Sequence, residues 1–141
     1  MKYLFSLALI VGAMLGSNAF AQDPDQFERN YSQVRMYCSV DIPEYGLEAN
    51  EWSEMSDASN RVILNYGDEN DIVIYNANGT RDVYQQASEI TEGTNDSGDT
   101  YQEMEITDGD GAKITIMLFD DFMSMIHYYE DGSYLIIQYY E

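Results

Sequence analysis

The last third of the chain, Tyr101 to Glu141, reads YQEMEITDGDGAKITIMLFDDFMSMIHYYEDGSYLIIQYYE. Apolar residues alternate through Tyr101–Thr107 and again through Ala112–Phe119, and Asp-Gly-Asp-Gly stands between the two runs. Asp and Gly tolerate the backbone angles of a tight turn, so this reads as a hairpin. Asp120-Asp121 breaks the second run. Met123–Tyr129 and Ser133–Tyr140 follow, flanking Glu-Asp-Gly. A period of two with turn residues every 8 to 12 positions is the all-β signature.

Working back toward the N-terminus, Arg61–Tyr66 (RVILNY) and Asp71–Tyr75 (DIVIY) are strand-like runs. Asn78-Gly79 is a hairpin signal, and Thr80 to Ile90 is a longer run holding Val83 and Tyr84. Glu92 to Thr100 has no apolar residue and reads as a polar loop. Val34, Met36, Cys38 and Val40 alternate with polar neighbours. Asp41 to Asn60, with Pro43, Gly46 and Trp52, reads as a loop with one short strand or helical turn around Trp52. Gln22 to Asn30 is polar, carries Pro24 and reads as a frayed start. The expected fold is an antiparallel meander of about eight strands. Short turns force antiparallel neighbours, and such a meander either stays a curled sheet or closes into a small barrel, lipocalin-like in dimensions.

The first 21 residues are expected to be a cleaved signal peptide. Lys2 is a positive start, Tyr3 to Leu15 is apolar, and Ala19-Phe20-Ala21 is an A-x-A cleavage site. The apolar run is too short for the ~20 residues that span a bilayer. Cleavage before Gln22 leaves residues 22–141 as one domain with no cysteine at its start to lipidate, destined for a periplasm or the outside of a cell. No membrane span is expected in the mature chain.

Lys+Arg is 6 against 26 Asp+Glu, a net charge of −20. Losing Lys2 with the leader takes it to −21. That charge excludes phosphate-backbone binding, so no nucleic-acid partner is expected. A single cysteine, Cys38, excludes an internal disulfide framework, and in its alternating apolar register it reads as a buried hydrophobe. A single histidine excludes multi-histidine metal sites.

Met123, Met125, His127 and Tyr129 recur at a spacing of two and project from one face of a strand. Thioether and imidazole are the soft ligands of Cu(I), and Met117 could join from the neighbouring strand. Against this, positions i and i+4 of a strand lie about 13 Å apart, too far to share one ion, and methionines commonly fill core gaps. The acidic loops at Asp68, Glu69 and Asp71, at Asp96 and Asp99, and at Asp108 and Asp110 lack the EF-hand spacing and read as turn chemistry. No G-x-S-x-G elbow or glycine-rich phosphate loop is present, so neither an enzyme nor a cofactor is expected. Asn30, Asn78 and Asn95 begin N-x-S/T sequons.

Aromatics are the remaining candidates. Twelve tyrosines follow the leader, and Trp52, Tyr84, Tyr128 and Tyr139 are the residues put forward for ligand binding. Ser133–Tyr140 is apolar on both faces: Leu135, Ile137 and Tyr139 on one, Tyr134, Ile136 and Tyr140 on the other. Such a strand is covered on both sides or presents a sticky outer face for a partner or a second copy. The expected function is a non-catalytic binding module for a small ligand or a protein. The alternatives are an acidic inhibitor steered to a basic partner and, further off, a metal-binding periplasmic protein.

Overall fold

The computed structural model describes residues 27–66 and 71–141. The proposed leader, and Asp68 and Glu69, lie outside the described residues. Nine strands follow in order: β1 (Phe27–Cys38), β2 (Ser56–Tyr66), β3 (Asp71–Tyr75), β4 (Arg81–Gln86), β5 (Thr91–Thr94), β6 (Thr100–Thr107), β7 (Lys113–Leu118), β8 (Phe122–Tyr128) and β9 (Tyr134–Tyr140). All pairings are antiparallel, in the order β4-β3-β2-β1-β9-β8-β7-β6-β5. Gln85 and Gln86 also pair with Thr107 and Ile106, which closes an eight-stranded barrel with β5 as an extra strand.

The meander is thus a closed barrel in which β1 pairs with the last strand, with one departure: β4 and β5 both lie along β6. β5 falls in a segment whose polarity reads as loop. Its register runs Thr91 to Glu103 through Thr94 to Thr100, along the same partner that β4 reaches at Ile106. β4 and β5 are therefore one long path along β6, broken at 87–90. Five steps from Gln86 to Thr91 face three from Ile106 to Glu103, which is a bulge. At the break Ala87 N–H donates to the Glu105 carbonyl, and Glu105 N–H donates to Ser88 Oγ at 2.8 Å. Backbone pairing holds β5, so its sequence carries no apolar period.

Four hairpin turns share one design. Asn76, Asn95, Asp108 and Tyr129 each accept a hydrogen bond from the glycine three residues on: Gly79, Gly98, Gly111 and Gly132. Those glycines all sit near φ +85°, in the region closed to residues with a Cβ. This is a tight turn ending in a left-handed residue, which suits the twist of the flanking strands. Asp108 Oδ1 accepts from the N–H groups of Asp110 and Ala112, and Asn95 Oδ1 from those of Ser97 and Asp99. Asp108 is thus committed to the backbone of its own turn.

Alternation decides the inside. Ile114, Ile116 and Leu118 pair with His127, Met125 and Met123, and on the other side with Ile106, Met104 and Gln102. With Val62, Leu64, Ile72 and Ile74 these form one buried cluster. An interior eight strands wide is about what side chains fill. On β1 the register shifts between Tyr31 and Gln33, and the inward side changes from Arg29 and Tyr31 to Val34, Met36 and Cys38. Arg29 is buried there, donates to the Asp120 carbonyl at 2.6 Å and meets Glu141 at 3.6 Å.

Several boundaries differ from the alternation reading. β1 begins at Phe27, where the polar sequence suggested fraying, because β2 pairs with it from Leu64 onward. Val40 lies beyond β1 and is exposed. β2 begins at Ser56, well before Arg61, and Ile90 lies outside β4. The short helical turn forms at Pro43–Tyr45, not around Trp52, because proline presets its first residue and Gly46 ends it at φ 67°. Trp52 makes an isolated bridge to Tyr37.

Candidate functional site

The four proposed ligand-binding aromatics separate. Tyr84 and Tyr139 turn inward and pack on the core. Burial pushes both hydroxyls up to about 12, helped by the charges of Asp82 and Asp108 at Tyr84 and by the Tyr84 phenol and Asp82 at Tyr139. Trp52 and Tyr128 turn outward and are 39% and 57% exposed.

The proposed metal residues also separate. Met123 and Met125 face inward and are fully buried among aliphatic side chains. His127 follows on the same side, and burial lowers its pKa against an opposite pull from Asp108. Met117 pairs with Ser124 and faces outward, so it cannot join them. Tyr129 lies past the end of β8 and is exposed. Strand geometry is the reason: adjacent residues alternate across the wall. Among the described residues no three His, Cys, Asp or Glu side chains converge. Cys38 is fully buried with Leu47 and Leu135.

The outside of β1, β9 and β8 carries the most organised set of side chains. Register places Arg35, Tyr37, Ile136, Gln138 and Tyr140 there with Phe122, Ile126 and Tyr128. Ring contacts run across it in two sets joined by Arg35. Tyr101 meets Phe119 at 5.3 Å, Phe119 stacks on Phe122 at 4.2 Å, and Phe122 stacks on Tyr140 at 5.1 Å. Arg35 bridges Tyr140 and Trp52, at 5.5 and 4.1 Å from the ring centres. Trp52 meets Tyr37 at 5.3 Å, Tyr37 stacks on Tyr134 at 6.2 Å, and Tyr134 meets Tyr128 at 6.5 Å. Arg35 is fixed by donating Nε–H to Gln138 Oε1 at 2.9 Å, and Tyr140 Oη donates to the same oxygen at 2.8 Å. Aromatic pairs at such spacings add about 0.5–1.5 kcal/mol each beyond area burial, so each ring is favoured in its place by its neighbour.

At one end of the run a cleft of about 430 Å³ opens between Phe119, Phe122 and Tyr140 and the carboxylates of Asp99, Asp120 and Asp121. Phe119 closes β7 and Phe122 opens β8, so the Asp120-Asp121 turn itself sets one wall. The sequence signal for this site was the two-sided apolar character of the last strand. Arg35 and the Phe119–Phe122 pair were missed, because their partners lie across strands that are distant in sequence.

No protein-family model, curated protein or solved structure matches the chain. The site is therefore read from its own geometry.

Proposed function

We propose that the chain is a non-catalytic binding module, secreted or periplasmic, that takes its ligand on the aromatic outer face of β1, β8 and β9. The observation that carries this reading is the run of contacts from Tyr101 to Tyr128 on the outside of the barrel, two sets of ring pairs joined by the Arg35 guanidinium. Tyr31, Tyr84 and Tyr139 already have a use inside the barrel. Trp52 and Tyr128 are the run's exposed rings, held by half-buried neighbours, and such rings offer contact area at little entropic cost, the property of binding-surface anchors. The barrel mouth is the less favoured location, because large apolar side chains fill the interior. The candidate residues of the face are Trp52 and Tyr128 from the aromatic set, with Arg35, Tyr37, Phe122 and Tyr140.

The test is native mass spectrometry of residues 22–141 purified without denaturation from the natural host. It compares the unaltered chain, the face variant Trp52→Ala/Tyr128→Ala and the interior variant Tyr84→Ala, each checked for folding by circular dichroism. Added mass that the face variant loses and the interior variant keeps supports the reading. Added mass with the opposite dependence, or a bare monomer in every case, counts against it.

A further inference from the structure

We infer that the occupant of this face is a basic polypeptide segment, with arginine or lysine side chains set among apolar ones. The inference rests on the aromatic face being the binding surface and adds the chemistry of what lies on it.

Five cations stand among the described residues: Arg29, Arg35, Arg61, Arg81 and Lys113. Arg61 pairs with Tyr75, and Tyr75 with Arg81, across β2, β3 and β4. Arg61 there meets Glu28 at 3.7 Å and lies over Tyr75. Arg29 is buried inside. On the aromatic face Arg35 lies flat over Trp52 rather than projecting, and Lys113 stands exposed at the start of β7. Carboxylates meanwhile stand at both ends of the run. Asp99, Asp120 and Asp121 line the cleft beside Phe122, while Glu130 and Asp131 follow Tyr128 and are exposed. Glu51 and Glu54, both exposed, flank Trp52.

An aromatic surface with carboxylates at its ends and beside Trp52 is complementary to a chain that is cationic and apolar by turns. Arg35 shows the contact such a partner would repeat: a guanidinium at 4.1 Å from an indole centre. A second copy of this chain fits poorly, because it brings another −20 to the same place. Strand addition is not the mode either. On this face β9 and β8 each already pair on both sides, so recognition falls to side chains.

The experiment uses two synthetic peptides, one alternating arginine with leucine and one with neutral, nearly isosteric citrulline at each arginine. Residues 22–141 are titrated with each, read by Trp52 emission and by backbone amide resonances. The arginine peptide is expected to saturate and to move resonances at Trp52, Tyr128 and Asp121. Its affinity should fall about tenfold between about 0.1 M and about 1 M salt, as screening shortens from ~10 to ~3 Å. The citrulline peptide should bind at least about tenfold more weakly, and Asp99→Asn/Asp121→Asn should weaken the arginine peptide alone. Equal binding of the two peptides overturns the inference while leaving the face as a binding surface. So do shifts centred on Arg61 and Val83, or binding by neither peptide. The native mass comparison judges the face separately.

Discussion

Replacing Ile116 by alanine and, separately, Ile126 by alanine tests which side of the barrel wall is core. The two residues lie on adjacent strands, both on runs that are apolar on both faces. Ile116 is 1% exposed, with Met104 opposite it on β6 and Met125 opposite on β8. Ile126 faces outward between Thr115 and Ile136 and is half-buried. The loss of three carbons from Ile116 costs about 2.4 kcal/mol in transfer free energy at ~0.8 kcal/mol per carbon. A closed interior adds a cavity term, bringing the expected loss to about 3–5 kcal/mol. Ile126 loses part of the transfer term and leaves no closed cavity, for about 1 kcal/mol. Urea unfolding followed by far-ultraviolet circular dichroism measures both. With a slope of about 1.5 kcal/mol/M, Ile116→Ala lowers the midpoint by about 2 M or more and Ile126→Ala by under about 1 M. Equal losses, or a larger loss at Ile126, would refute the assignment of faces and the binding surface built on it.

Two further outcomes are expected. Tyr139 and Tyr84 stay neutral in the fold up to about 12, against about 10 for a free phenol. Their contribution to stability is therefore whole below pH ~10 and is lost as the pH rises toward ~12, at ~1.4 kcal/mol per unit, or about 3 kcal/mol for Tyr139 and less for the more exposed Tyr84. Tyr139→Phe should raise the alkaline unfolding midpoint, and an unchanged midpoint with all phenols titrating together in an ultraviolet difference titration would contradict the burial. Gly93 has no room for a side chain, since a Cβ there would sit 2.6 Å from Tyr101 Cζ. Gly93→Ala should displace Tyr101 from Phe119, cost about 1–3 kcal/mol and weaken the near-ultraviolet dichroism of the aromatic run; an unaltered spectrum would show that the ring contact is not maintained.

Much of this architecture was legible in the chain because strands and turns are local events. The alternation through Ile114, Ile116 and Leu118, and the Gly-bearing turns before Lys113 and Tyr134, needed no distant partner to be recognised. The two-sided apolar character of Ser133–Tyr140 likewise marked a strand with partly buried side chains on both faces. What stayed hidden depends on pairing at long range. β5 has no apolar period because Gly93 and its neighbours are held by backbone bonds to β6. The inward turn of Arg29 follows from a register shift that only β2 reveals. The metal candidates shared one face as read, yet that face proved to be packed core, and Met117 proved to lie on the other side of the wall. Tyrosine composition alone could not tell Tyr139 from Tyr140: adjacent in sequence, they sit on opposite sides of one strand, one in the core and one in the aromatic run. The sequence by itself determined strand, turn and charge, because these depend on neighbours a few residues away. Closure of the barrel decided the rest, because it alone sets which strands meet, which face is inside, and which aromatic rings lie outside.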